Sequence, residues 1–150
     1  MNILIIFIAK YLVFISAAIA VVYFAKQPRQ KQKEMLIFAA ALLPLSYVFA
    51  KLVSHFYFDP RPFVEGNFAP LLPHAADNGF PSDHTLLGTA IAFTVFHFNK
   101  KLGFLLFYLT VLVGIARVLA GVHHAADIVG SIIIAGLIYL LVAYSTRKKE

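Results

Sequence analysis

The sequence predicts an all-α integral membrane protein, a bundle of five transmembrane helices with its chemistry gathered at the outer membrane–water interface. Three observations predict it. The 150 residues are 61% hydrophobic and 13% charged, and mean hydropathy is +0.82. The apolar residues fall in runs approaching the ~20 needed to cross ~30 Å of hydrocarbon. The polar residues are equally segregated. Phe58 to Thr85 is the one long stretch broken by Pro and Gly, and it holds Arg61, His74, His84 and four of the seven acids: Asp59, Glu65, Asp77 and Asp83. The net charge of +6 sits in short loops beside apolar runs, which fits membrane topology and argues against a nucleic-acid partner. With no Cys there are no disulfides.

The first span covers Asn2 to Phe24. It is apolar from its start, and its cations (Lys26, Arg29, Lys31, Lys33) follow it, so it reads as a retained span with its N-terminus outside rather than as a signal peptide. The second runs from Met35 to about Phe58 and stops before Pro60, with Pro44 expected as a kink inside it. After the long loop a third helix starts at Ser82 or Asp83, both good N-cap residues, and ends at Phe98. Asn99-Lys100-Lys101 turns into the fourth, Leu102 to Leu119. Gly121 to His124 turns into the fifth, from about Ala125 to Tyr144, before the basic end Arg147-Lys148-Lys149. The whole chain reads as one membrane domain.

With five spans, nine of the thirteen cations share one face, the cytoplasmic one by the positive-inside rule. Lys10, Lys51, Arg61 and Arg117 break that bias by lying toward the outer side, together with five of the seven acids and all the histidines but His97. An anionic ligand on that side explains them. Arg61, His84, Arg117, His123 and Asp127 then lie at neighbouring helix ends. Two guanidiniums offer bidentate hydrogen bonds to phosphate oxygens. The helix start near Ser82 adds free N–H groups and a positive dipole end. His123 with Asp127 four residues on can fix one imidazole tautomer and free the other nitrogen as nucleophile or base. His84 can supply a proton to a leaving group.

At these residues the chain resembles the type 2 phosphatidic acid phosphatase superfamily, whose signatures are Lys-x6-Arg-Pro, Pro-Ser-x-His and Ser-Arg-x5-His-x3-Asp. The matching residues are Arg61-Pro62, Pro81-Ser82-Asp83-His84 and Ala116-Arg117-x5-His123-x3-Asp127. The wording PRPFV, PHAAD, FPSDHT and GVHHAADIVGS is most similar to the bacterial undecaprenyl-diphosphatase branch. The resemblance implies that His123 attacks phosphorus, Asp127 orients it, and His84 protonates the leaving lipid phosphate. Arg61, Arg117 and Ser82, with nearby backbone amides, would hold the phosphoryl oxygens, and Asp83 and a lysine are included on the substrate-binding side. It implies no metal and no other cofactor, a lipid diphosphate or phosphate substrate amid membrane lipids, and a bacterial inner membrane with the site facing outward.

Two departures stand out. The position of the first-motif Lys is Ser54, so Lys51, nearly one helical turn further back, or Lys10 on the first span is expected to take its role. Ala116 stands where the pattern has Ser. Glu65, His74 and Asp77 read as solvated loop residues, with substrate contact as the alternative, and His55 and His124 as interfacial or packing residues. Rival readings are a phosphatidylglycerophosphate, phosphatidic acid or lipid A phosphatase; a metal-dependent hydrolase using His84, His123, His124 and Asp127; and a small transporter with an anion site.

Overall fold

A computed structural model describes residues 2–147 and resolves five long helices and one short one: α1 Asn2–Ala25, α2 Arg29–Phe56, α3 Pro62–Glu65, α4 Asp83–Phe98, α5 Lys100–Leu119 and α6 Ala125–Arg147. Lys148 and Lys149, counted with the basic end, lie outside the described residues. The only extended pairing among the described residues is an isolated antiparallel bridge between Pro60 and Asn78.

Four helices, α1, α2, α5 and α6, are long and apolar enough to cross a membrane. Large apolar side chains on them face outward, among them Ile3, Ile37, Tyr108 and Leu140. In water such a surface would aggregate; in lipid it is simply solvated. This is a multi-pass membrane protein. The expected third span is the exception. Helix α4 has 16 residues, about 24 Å at ~1.5 Å per residue.

Its position explains the difference. Helix α4 packs against α1, α2, α5 and α6, so protein rather than lipid surrounds it. It therefore tolerates buried Thr85, Thr89 and Thr94. The Thr89 hydroxyl donates to the Thr85 carbonyl at 2.7 Å and the Thr94 hydroxyl to the Ala90 carbonyl at 2.8 Å, so neither is left unmet in an apolar interior. Helix α5 follows α4 after a single residue. Asn99 ends one helix and caps the next, its side chain accepting from the Leu102 N–H at 3.1 Å. The pair can close so tightly because Gly103 lies against the Phe96 backbone, where a Cβ would come within 2.3 Å of the Phe96 Cα.

Helix α2 begins six residues before the expected Met35, since polar Gln and Lys residues continue the helix beyond the hydrocarbon, and it runs through Pro44. Between α2 and α4 the long loop is seated rather than loose. The Leu71 N–H donates to the Ala120 carbonyl at 3.0 Å, and Leu72 is buried with Ala9, Ala116, Ala120 and Val122. That anchorage lays the loop across the ends of α5 and α6. At the opposite end the bundle is closed by rings: Phe38 stacks on His97 at 4.2 Å between centroids and Phe93 on Tyr139 at 4.9 Å.

Candidate active site

Where the loop meets the helix ends lies a cavity of about 290 Å³, lined by Lys51 and Ser54 of α2, Arg61, His74, Asp77 and Asn78 of the loop, Asp83 and His84 of α4, Arg117 of α5, and His123 of the turn into α6. A larger hollow of about 500 Å³ lies beside it. Its walls are mostly apolar, with His123 and His124 the only side chains there able to titrate. The polar cavity is therefore where ionic chemistry can occur.

Its centre is His123, which is 2% exposed. Nδ1 lies 3.0 Å from Asp127 Oδ2, while Nε2 lies 3.4 Å from Arg61 NH1 and 3.4 Å from Arg117 NH2. A carboxylate only accepts and a guanidinium only donates, so the neighbours decide the tautomer. Nδ1 carries the proton, and the Nε2 lone pair faces the two cations. Burial pushes the His123 imidazole below its ordinary range, against the hydrogen bond to Asp127, and the two guanidiniums push it the same way. The ring is neutral at pH 7, the form a nucleophile requires. Asp127 is fully buried and is itself held by the His124 N–H at 2.9 Å.

Arg61 is pinned on three sides. Its Nε donates to Asp77 Oδ1 at 2.7 Å, NH1 to the Val122 carbonyl at 2.8 Å and NH2 to the Asn78 carbonyl at 3.3 Å. Burial works against the Asp77 carboxylate, but Arg61 beside it outweighs that and holds it below the usual range. Arg117 reaches across the bundle, NH1 donating to the Ala9 carbonyl of α1 at 3.4 Å and NH2 facing His74 Nε2 at 3.1 Å. Its Nε is buried with no acceptor among the described residues. Two nearly buried guanidiniums, with no carboxylate on Arg117, leave an excess of positive charge that an anion would satisfy.

Asn78 organises this end of the loop. Its Oδ1 accepts from the Asp59 and Phe80 N–H groups at 2.9 and 3.0 Å. Its Nδ2 donates to the Ser54 carbonyl, the Ser54 hydroxyl and the Tyr57 carbonyl at 3.1, 3.0 and 2.8 Å. It thereby satisfies carbonyls at the end of α2 and fixes the strand leading to Arg61.

The structure brings together Arg61, His84, Arg117, His123 and Asp127, with Lys51 at the mouth 3.5 Å from Asp83. Three expectations change. Lys10 does not line the cavity; it is exposed on α1, with Nζ 5.3 Å from the centre of the Tyr11 ring. Ser82 is fully buried and serves as the N-cap of α4, its oxygen accepting from the Thr85 N–H at 3.5 Å and hydroxyl at 3.2 Å rather than lining the cavity. Asp83 does line it, but as an acid its role there is to pair with Lys51, not to hold an anion.

The donor atoms that a cation could share belong to Asp59, His124 and Asp127, within 4.8 Å of one another. That set omits His84 and His123. His123 Nε2 faces two guanidiniums, which a metal ligand could not do. Burial and the neighbouring Asp127 charge raise Asp59 above the carboxylate range, so a proton shared between the two acids suits the same space. His124, expected as a packing residue, lies 3.5 Å from Asp59 and 3.3 Å from Glu65. His74 and Asp77, read first as solvated loop residues, both line the cavity, and Asn78 is the site residue that sequence reasoning passed over. For His74 the signal was its place in the PHAAD wording, three residues before Asp77; for Asn78 there was none.

Fold and site together define a multi-pass membrane phosphatase whose polar cavity sets a buried histidine between a carboxylate and two arginines. The chain belongs to the PAP2 superfamily, whose profile matches residues 12–150. It is 35% identical over 139 residues to "Undecaprenyl-diphosphatase BcrC" of Bacillus subtilis (91% of this chain, 70% of the relative). It is 32% identical over 149 residues to "Bacitracin transport permease protein BcrC" of Bacillus licheniformis (99% and 73%). The fold is also similar to the crystal structure of Aquifex aeolicus LpxE, with a TM-score of 0.76 at 21% identity over 95% of this chain and 86% of that one.

Proposed function

We propose that this protein hydrolyses undecaprenyl diphosphate to undecaprenyl phosphate and inorganic phosphate, at the outer face of a bacterial inner membrane, through a phosphohistidine on His123. The observation that carries the reading is the arrangement at His123: proton on Nδ1 toward Asp127, lone pair on Nε2 between two guanidiniums. Nε2 attacks the terminal phosphorus as the bridging P–O bond breaks. His84, on the same cavity wall, gives the leaving lipid phosphate a proton and then takes one from the water that cleaves the P–N bond. Arg61 and Arg117 stabilise the charge spread over the equatorial oxygens, the electrostatic task that metal ions perform in other phosphoryl transfers. Lys51 takes the place of the missing first-motif lysine: its ammonium gives up the pair with Asp83 and turns to the second phosphate of the substrate.

The name of the second relative raises transport as a rival. Against it, the ionic lining of the cavity does not continue through the bundle, and aromatic packing around Phe38, Phe93 and Tyr139 closes the way to the other end.

The test is phosphate release from undecaprenyl diphosphate by purified protein in EDTA, wild type beside His123→Ala. Wild-type activity should persist in chelator and fall roughly 10⁴-fold or more in the variant. Activity lost to EDTA would move the mechanism to a metal hydrolase. Cleavage of phosphatidic acid or phosphatidylglycerophosphate instead would keep the mechanism and discard the substrate.

A further inference from the structure

One cavity residue has no task in that scheme. His74 belongs to none of the three motifs, yet its ring stands edge-on to His123, 6.1 Å between centroids, with Nε2 3.1 Å from Arg117 NH2. The guanidinium donates, so Nε2 accepts and the ring proton is on Nδ1. Nδ1 is buried and has no acceptor among the described residues. A hydrogen bond from Arg117 is thus spent on a neutral ring whose own donor is unmet, a costly arrangement unless a ligand reorders it.

The groups facing His74 explain both states. Arg61 and Arg117 stand beside it with His123, and Asp77 approaches from its own loop; His84, Asp83 and Lys51 complete the cavity wall. Burial and the two guanidiniums hold its imidazole below the ordinary range of about 6.5, with Asp77 opposing. A phosphoryl dianion among the same groups reverses the sign of the local field.

We infer that His74 is a substrate-contacting residue that binds a solvent proton when a phosphoryl dianion enters the cavity and donates it through Nε2 to one of the anion's oxygens. Arg117 NH2, released from the imidazole, turns to the same anion. An Nε2–H bond forms on His74 as a hydronium ion or buffer acid gives up its proton, and no bond within the anion changes. The free protein has His74 neutral and the complex has it charged, so binding weakens as pH rises, by up to about tenfold per pH unit. The inference rests on the phosphoryl reading of the cavity.

Tungstate is a suitable probe, being a tetrahedral dianion that does not titrate near neutrality. Its binding to the full-length protein in detergent is measured by calorimetry at pH 7.5, in two buffers of different ionisation enthalpy, for wild type, His74→Gln and His84→Gln. The expected result is about one proton taken up per anion by wild type and by His84→Gln. In His74→Gln uptake is near zero, with about tenfold weaker binding that no longer depends on pH. Uptake that survives in His74→Gln, or is absent from wild type, overturns the inference while leaving the phosphoryl site in place. A wild type that binds no tungstate overturns both. Hydrolysis assays then separate the two sources of the anion: a KM for lipid diphosphate raised about tenfold in His74→Gln assigns the contact to the headgroup, and weaker inhibition by inorganic phosphate with KM unmoved assigns it to the released product. Neither effect, with the variant folded, overturns the inference.

Discussion

His123 and His97 lie at opposite ends of one bundle, and the same side chain does two different jobs there. His97, in the last turn of α4, stacks on Phe38 at 4.2 Å and lies edge-on to Phe98 at 5.0 Å. His123 is buried against Asp127 with two guanidiniums on its other nitrogen. At the first, the ring lays its face on an aromatic neighbour; at the second, each nitrogen meets a group of opposite hydrogen-bonding character. What separates the two rings is the asymmetry of the partners around His123, not the histidine itself.

Breaking that asymmetry should have the largest effect. One oxygen of Asp127 takes both the His123 Nδ1–H and the His124 N–H, so in Asp127→Asn the amide oxygen can still accept both, but the neutral amide cannot stabilise the positive charge that the proposed mechanism develops on the His123 ring. We expect kcat/KM to fall roughly 10³- to 10⁴-fold while thermal denaturation in detergent still shows a folded protein. Activity within tenfold of wild type would mean that Asp127 serves the fold and not the nucleophile.

A middle effect sharpens the boundary of the polar end. Lys51 is about half exposed in its pair with Asp83, so salt and solvent limit its contribution. Lys51→Ala should raise KM about three- to tenfold, and the difference should shrink at high ionic strength. Lys10→Ala, on the exposed face of α1, should change KM less than twofold. The reverse order would return the anion-binding role to α1.

The smallest effect on chemistry belongs to the aromatic end. His97→Phe keeps a ring on Phe38 and should leave kcat/KM within twofold. His97→Ala should lower stability by roughly 1 kcal/mol, read as a drop in melting temperature, with the activity of the folded fraction unchanged. A large loss in turnover from either change would show that the two ends are coupled.

Most of this was legible from hydropathy and motif spacing, for reasons that also mark the limits. Apolar runs report where lipid touches a helix, so α1, α2, α5 and α6 were readable. They do not report where a helix begins in water, which is why α2 starts at Arg29 and not at Met35. Nor do they distinguish a span from a helix wrapped by other helices, which is why α4 is shorter than a membrane is thick. Arg61, Arg117, His123 and Asp127 could be placed because each sits at a fixed offset on a helix end. His74 and Asn78 could not. An Asn in a loop rich in Pro and Gly looks like any turn residue, and its five hydrogen bonds reach partners from two to 24 positions away. Ser82 was misplaced for a related reason: the cap and the anion site are offered by the same helix start, and only packing decides which one the hydroxyl serves.

The bond between Asn78 and Ser54 has a consequence for how such a chain can change over generations. Asn78 Nδ2 lies 3.0 Å from the Ser54 hydroxyl, in the space that a longer residue at position 54 would claim. A lysine restored there would push an ammonium against an amide that is itself a donor, and would unfasten the loop that holds Arg61. Neither position can drift alone. Positions 54 and 78 are therefore coupled through this one contact, and a lysine at 54 calls for a compensating change at 78.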